Sequence, residues 1–110
     1  MAYDEALAER VRERLRSDEG VTEKRMFGGL AFLTYGNMTV GVRGDDLIVR
    51  VGPDAAAEAL SRPGVRQFDS AGRAINGWVV ADGTTLDDAV LDDWLRRAGD
   101  FVASLPPKFI

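Results

Sequence analysis

The sequence predicts an α+β domain, an antiparallel five-stranded sheet with helices in the order α-β-β-β-α-β-β-α. Three observations carry that prediction. Tyr3, Leu7, Val11 and Leu15 recur every four residues, the period of one helix stripe. Tyr35-Gly36-Asn37 and Arg43-Gly44-Asp45-Asp46 have hairpin-loop chemistry and separate apolar runs of strand length. The segment from Leu86 to Leu105 carries a broad apolar stripe through Val90, Leu91, Trp94, Leu95, Ala98, Phe101 and Val102.

The first helix spans Asp4 to Arg16 in this reading, and Ser17-Asp18-Glu19-Gly20 ends it. Its arginines are offset by Glu9 and Glu13, which favours a solvated face with pairs such as Glu9 with Arg12 and Glu13 with Arg16 over a nucleic-acid surface. The strand-like run from Lys24 to Leu33 is interrupted by Gly28-Gly29. Adjacent glycines are costly in a strand and mark a bulge or a close approach. The bulge reading places them where the first strand bends and aims Arg25 and Phe27 toward the outer face of the sheet. A phosphate loop is set aside, because Leu30-Ala31-Phe32-Leu33 follows in place of a helix start with a lysine.

The two turns set a register. Val42 faces Leu47, Val40 faces Val49 and Met38 faces Val51, while a three-residue first loop puts Phe32 opposite Val40 and Leu30 opposite Val42. These make the core face. The other face carries Gly29, Ala31, Leu33, Thr39, Gly41, Arg43, Ile48 and Arg50, too little charge for open solvent. Either a helix or tail covers it, or it is a partner surface.

Gly52-Pro53-Asp54 leads into a short alanine-rich helix that Arg62-Pro63-Gly64 stops. Val65 to Phe68 and Gly77 to Ala81 read as two further strands, paired with each other across the loop at Asp69 to Arg73. Thr85 with Asp88 resembles a capping box for the last helix, which ends at Pro106-Pro107. With no linker or repeat, residues 1–110 read as a single domain.

Composition narrows the chemistry. The chain has 110 residues, no Cys, no His and a net charge of −4. Thiolate and imidazole catalysis and the usual zinc or haem ligands are excluded, and neither a metal nor a cofactor is expected. The net charge disfavours nucleic acid without excluding a local basic patch. An acidic N-terminus and the lack of an apolar run of about 20 residues argue against a signal peptide and a membrane span, so a cytoplasmic location is expected. The paired carboxylates Asp45-Asp46, Asp87-Asp88 and Asp92-Asp93 sit where turns and helix starts recruit Asp, so no catalytic residue is named. Among the aromatics, Phe32 and Phe68 read as core, while Phe27 and Trp78 adjoin glycines and have Arg25, Arg66 and Arg73 as candidate neighbours.

Arg25-Met26-Phe27-Gly28-Gly29, Gly36-Asn37-Met38, Leu47 to Val51 with Arg50, Pro63-Gly64 ahead of Phe68, Gly72-Arg73, Gly77-Trp78-Val79 and Leu91 with Trp94-Leu95 together resemble the N-terminal domain of the TfoX/Sxy family. The resemblance covers nearly the whole chain. It implies the same element order in two layers, similar to type III secretion chaperones. The named members of the family are regulators of competence genes that look like partners of the cyclic-AMP receptor protein at its promoters. Longer members carry a second, helical domain, which this chain is expected to lack, and the resemblance supplies no catalytic residues.

The expected function is a non-enzymatic binding or regulatory module acting through protein contacts, with a homodimer through the outer sheet face as one form. The alternatives are a nucleic-acid-associated transcription regulator and, more weakly, a small-molecule-binding protein or carboxylate-dependent enzyme. The residues expected to make contacts are Arg25, Phe27, Gly28, Gly29, Arg43, Ile48, Arg50, Arg73 and Trp78.

Overall fold

Asp4 starts helix α1 (Glu5–Leu15) by accepting hydrogen bonds from the Ala6 and Leu7 amides at 2.9 and 3.3 Å. The computed structural model describes residues 3–26, 28–70 and 72–108. Leu7, Ala8 and Val11 turn inward. The arginines of α1 are less solvated than a free surface would leave them. Arg10 reaches Asp88 at 3.0 Å and Arg14 reaches Asp92 at 2.5 Å, both on helix α3 (Asp88–Ala103). The Glu9–Arg12 pair forms as expected at 2.5 Å, whereas Arg16 lies 3.8 Å from Glu9 instead of pairing with Glu13.

The sheet has six strands, one more than the sequence predicts. They are β1 (Val21–Met26), β2 (Gly29–Thr34), β3 (Asn37–Arg43), β4 (Asp46–Arg50), β5 (Val65–Ser70) and β6 (Arg73–Ala81), in the order β1-β2-β3-β4-β6-β5. All the pairings between neighbouring strands are antiparallel. The unexpected strand is β1. All its residues after Val21 are exposed, so it lacks the buried alternation by which strands are recognised. Gly28-Gly29 is accordingly no bulge within one strand. Met26 pairs with Gly29 across a hairpin, and Gly28 takes a φ of +76° that glycine adopts without strain. Gly29 serves a second need, because a Cβ there would collide with the Val42 carbonyl oxygen.

The expected register holds for Leu30 with Val42, Phe32 with Val40, Val40 with Val49 and Val42 with Leu47. It fails beyond Phe32. The first loop contains two residues, Tyr35 and Gly36, both at positive φ (49° and 84°), as a tight hairpin turn requires. A register shift between Phe32 and Leu33 then inserts Thr39, so that Leu33 pairs with Met38. This one-residue slip sends Met38 to the outer face, and the Thr39 hydroxyl is satisfied by Thr34 Oγ1 at 3.0 Å.

The inner face of the sheet packs against α1, α2 (Ala56–Leu60) and α3 in one core that includes Phe32, Leu47, Val49, Val79, Leu91 and Trp94. A second cluster of Ala31, Met38, Ile48, Phe68 and Val80, flanked by Leu33, Ile75 and Trp78, occupies the outer face. Its cover is neither a helix nor a tail but the chain's own β5–β6 hairpin. Pairing is irregular between Gln67 and Asp69, and Gly77 opposite sits at φ +91°. In a flat sheet β5 and β3 would lie about 14 Å apart. The Phe68 ring instead lies 5.3 Å from the Arg43 guanidinium carbon, which shows how far the hairpin curls. Phe68 therefore belongs to this outer cluster and not to the main core.

The cap of α3 also differs from the predicted one. Asp87 accepts from the Val90 amide at 2.9 Å, while Thr85 closes a short 3-10 turn (Gly83–Thr85) by donating to the Asp82 carbonyl. At its other end α3 is followed by a tail tied to the β2–β3 turn. The Lys108 amide donates to the Tyr35 carbonyl at 2.7 Å and the Asn37 side chain donates to the Pro106 carbonyl at 2.8 Å.

Several carboxylates are held below their usual range by arginines. Arg12 does this for Glu23, and Arg10 with Arg14 for Asp88. For Asp93 burial works against the ionised form, but hydrogen bonds from Arg96 and Arg97 outweigh it. A carboxyl whose pKa is lower folded than unfolded stabilises the fold above the unfolded value, and that contribution disappears as pH falls through the folded value. The melting temperature should therefore hold from pH about 8 to 5 and fall progressively below about 4. A melting temperature that rose on acidification below that point would contradict the sign.

Candidate functional site

β3 and β4 each end in an arginine whose guanidinium lies on aromatic rings. Arg43 lies 5.3 Å from the Phe68 ring centre. Arg50 lies 5.0 Å from Trp78 and 5.6 Å from Phe101. The Phe68 and Trp78 rings pack at 5.9 Å with a 39° tilt, so the two cations flank one aromatic pair. The rings reach these positions because the β5–β6 hairpin curls over the outer face and because Gly52 leaves room for Phe101, whose ring a Cβ there would strike.

Both guanidiniums are half-buried, and neither meets a carboxylate among the described residues. Arg50 has a single long hydrogen bond, to the Met38 carbonyl at 3.5 Å, and burial lowers its pKa from the usual arginine value. Most other arginines are neutralised locally. Arg66 bonds Asp46 at 2.6 Å, and Arg97 bonds Glu58 and Asp93 at 2.6 and 2.9 Å. Cation–π contact is worth about 0.5–2 kcal/mol and uses the guanidinium face. The N–H groups at its rim are left for an anion.

Of the residues expected to make contacts, Arg43, Ile48, Arg50 and Trp78 come together on this face. Ile48 is 0% exposed beneath the hairpin and offers no surface. Gly28 and Gly29 lie at the β1–β2 hairpin, and Arg73, exposed, begins β6. Arg25 projects from the inner side of β1, with its guanidinium 6.0 Å from the Tyr3 ring. Phe27 lies outside the described residues. Phe68 and Phe101 were missed as site residues, since each fits an apolar pattern that reads as core.

Apart from Asp45, the paired carboxylates have structural partners. A cleft of about 500 Å³ is bordered by Asp4, Asp46 and Asp82, yet Asp4 caps α1, Asp46 accepts from the Gly83 amide and Arg66, and Asp82 accepts from Thr84. Asp88 and Asp92 bond arginines of α1, and Asp93 bonds Arg62, just past α2, together with Arg96 and Arg97 of α3.

A family model described as the TfoX N-terminal domain matches residues 13–102. The chain belongs to that family. The match runs from within α1 nearly to the end of α3, so all six strands of this TfoX N-terminal domain lie inside it. Comparison with curated proteins and with solved structures gave no match. Among the described residues no helix is long and apolar enough to cross a membrane.

Proposed function

We propose that the domain is a non-enzymatic binding and regulatory module that works through protein contacts, with the Arg43–Arg50 side of the sheet receiving acidic groups of its partner. The observation behind this reading is the pair of half-buried guanidiniums, fixed on aromatic rings and lacking carboxylates. Holding a cation rigid before binding reduces the ordering cost of gripping a carboxylate. A second copy docking here would meet Arg43, Arg50 and the outer side of the β5–β6 hairpin, because Ile48 is covered.

Affinity capture from a native extract with the wild type and with an Arg43→Gln/Arg50→Gln variant, read by mass spectrometry, tests the proposal. Partners held by the wild type and lost by the variant support it; identical capture by a folded variant rejects it. A second reading, a nucleic-acid-associated regulator, draws on the same arginines beside the half-buried Trp78, whose ring also suits base stacking. The net charge of −4 weighs against it. Fluorescence anisotropy with labelled DNA and RNA at low salt separates the two, since phosphate contacts are strongest there.

A further inference from the structure

We propose that the open edge of β1 takes up an extended acidic segment of a partner protein as a seventh strand of the six-stranded sheet. β1 lies at the end of the strand order, and among the described residues it pairs only with β2. Its other side presents alternate main-chain N–H and C=O groups with no strand opposite among the described residues. Natural edges are blunted by proline, by a bulge or by charged side chains, and β1 relies on charge alone, with Lys24 outward and Arg25 inward. β1 contains no proline, and its register runs unbroken from Val21 with Thr34 to Met26 with Gly29.

The side chains specify the charge of the incoming strand. Glu23, the one acid in β1, is held by Arg12 through hydrogen bonds of 2.6 and 2.8 Å. Lys24 and Arg25 have no carboxylate among the described residues. Lys24 pairs with Ala31 on the outer face and Arg25 with Leu30 on the inner face. The edge therefore offers a cation without a carboxylate on each side at adjacent positions, Arg25 resting only on the Tyr3 ring, and a strand with two consecutive acidic residues matches both, because consecutive side chains alternate faces. A cleft of about 320 Å³ between the end of α1 and β1, bordered by Leu15, Arg16, Asp18, Val21 and Phe32, leaves room for an inner-facing side chain of that strand.

A second copy of this chain fits the edge poorly. Of the two longest two-fold antiparallel registers that keep both inner faces on one side, one places Glu23 opposite Glu23 and the other Lys24 opposite Lys24; the second also sets Glu23 opposite Arg25, but Glu23 is already held by Arg12. Like charges directly opposite destabilise such pairs.

The test uses the full chain and a capped eight-residue peptide of threonine and valine with two central glutamates. Two analogues accompany it, one with central lysines and one with prolines replacing the valines. Binding should slow hydrogen exchange at alternate amides between Val21 and Met26. A Lys24→Glu/Arg25→Glu variant, changed only at exposed positions, should lose the glutamate peptide by about tenfold and gain the lysine peptide. The Arg43→Gln/Arg50→Gln variant should bind the peptide as the wild type does, so this site stands or falls separately from the outer-face reading. Undetectable peptide binding, equal binding of the proline analogue, unchanged exchange in β1, or a peptide-free dimer with β1 already protected would each overturn the proposal.

Discussion

Ile48→Glu is expected to cost the domain at least about 3–5 kcal/mol, the range for an uncompensated buried charge. Ile48 is fully buried on the outer face among Ala31, Met38, Phe68 and Val80, and the two cations at the margin of that cluster, Arg43 and Arg50, already lie on the Phe68 and Trp78 rings. Urea unfolding should show the loss as a shifted midpoint, with Ile48→Val as a control costing about 0.5–1.5 kcal/mol. The pH dependence gives the cause. Burial raises the folded pKa of the introduced carboxyl above its unfolded value near 4.3, so the penalty grows as pH rises above that value and shrinks as acid neutralises the group. A variant as stable as the wild type near neutral pH would show that the carboxylate reaches Arg43 or Arg50 or that this face opens to water. The same substitution would be a poor probe of self-association, because it unfolds the protomer first.

Trp94→Ala is expected to lose about 3–5 kcal/mol, by removing a large ring that the surroundings cannot fill. The indole is 1% exposed at the centre of the inner core. Arg62 and Arg97 lie 5.4 and 5.8 Å from its ring, and both are bonded to Glu58 and Asp93. Small domains have only about 5–15 kcal/mol of total stability, so the variant should sit close to unfolding at 37 °C. Trp94→Phe keeps a ring for the two cations and should cost clearly less. Trp78, the other tryptophan, reports the transition by fluorescence in both variants. A loss under about 1 kcal/mol for the alanine variant would mean that the core collapses around the gap.

The strands most visible in the sequence are those with one face in the main core. β2, β3 and β4 are apolar runs of strand length, and the turns between them carry Gly, Asn and Asp, so the pairings of Phe32 with Val40 and Val42 with Leu47 follow from pattern alone. β1 could not be seen that way, since an exposed edge strand of Thr, Glu, Lys and Arg has the composition of a loop. The Thr39 bulge was hidden for another reason. A two-residue turn plus one inserted residue gives the same register further along as a three-residue turn, and only the exchange of faces at Met38 tells them apart. At the helix start, Thr85 and Asp88 have capping-box spacing, but the 3-10 turn engages Thr85 and leaves the cap to Asp87. The site was half legible. Arg43 and Arg50 stood out as cations on a face of small residues, whereas their rings arrive from β5, β6 and α3 through contacts that no local pattern encodes.

The tail after α3 has a mechanical consequence. The bonds from the Lys108 amide to Tyr35 and from the Asn37 side chain to the Pro106 carbonyl lie between the chain's end and the helix. A pull on that end loads this clamp before it can peel α3 from the core. Tension there is felt first by the β2–β3 hairpin, and the helix is shielded until those two bonds give way.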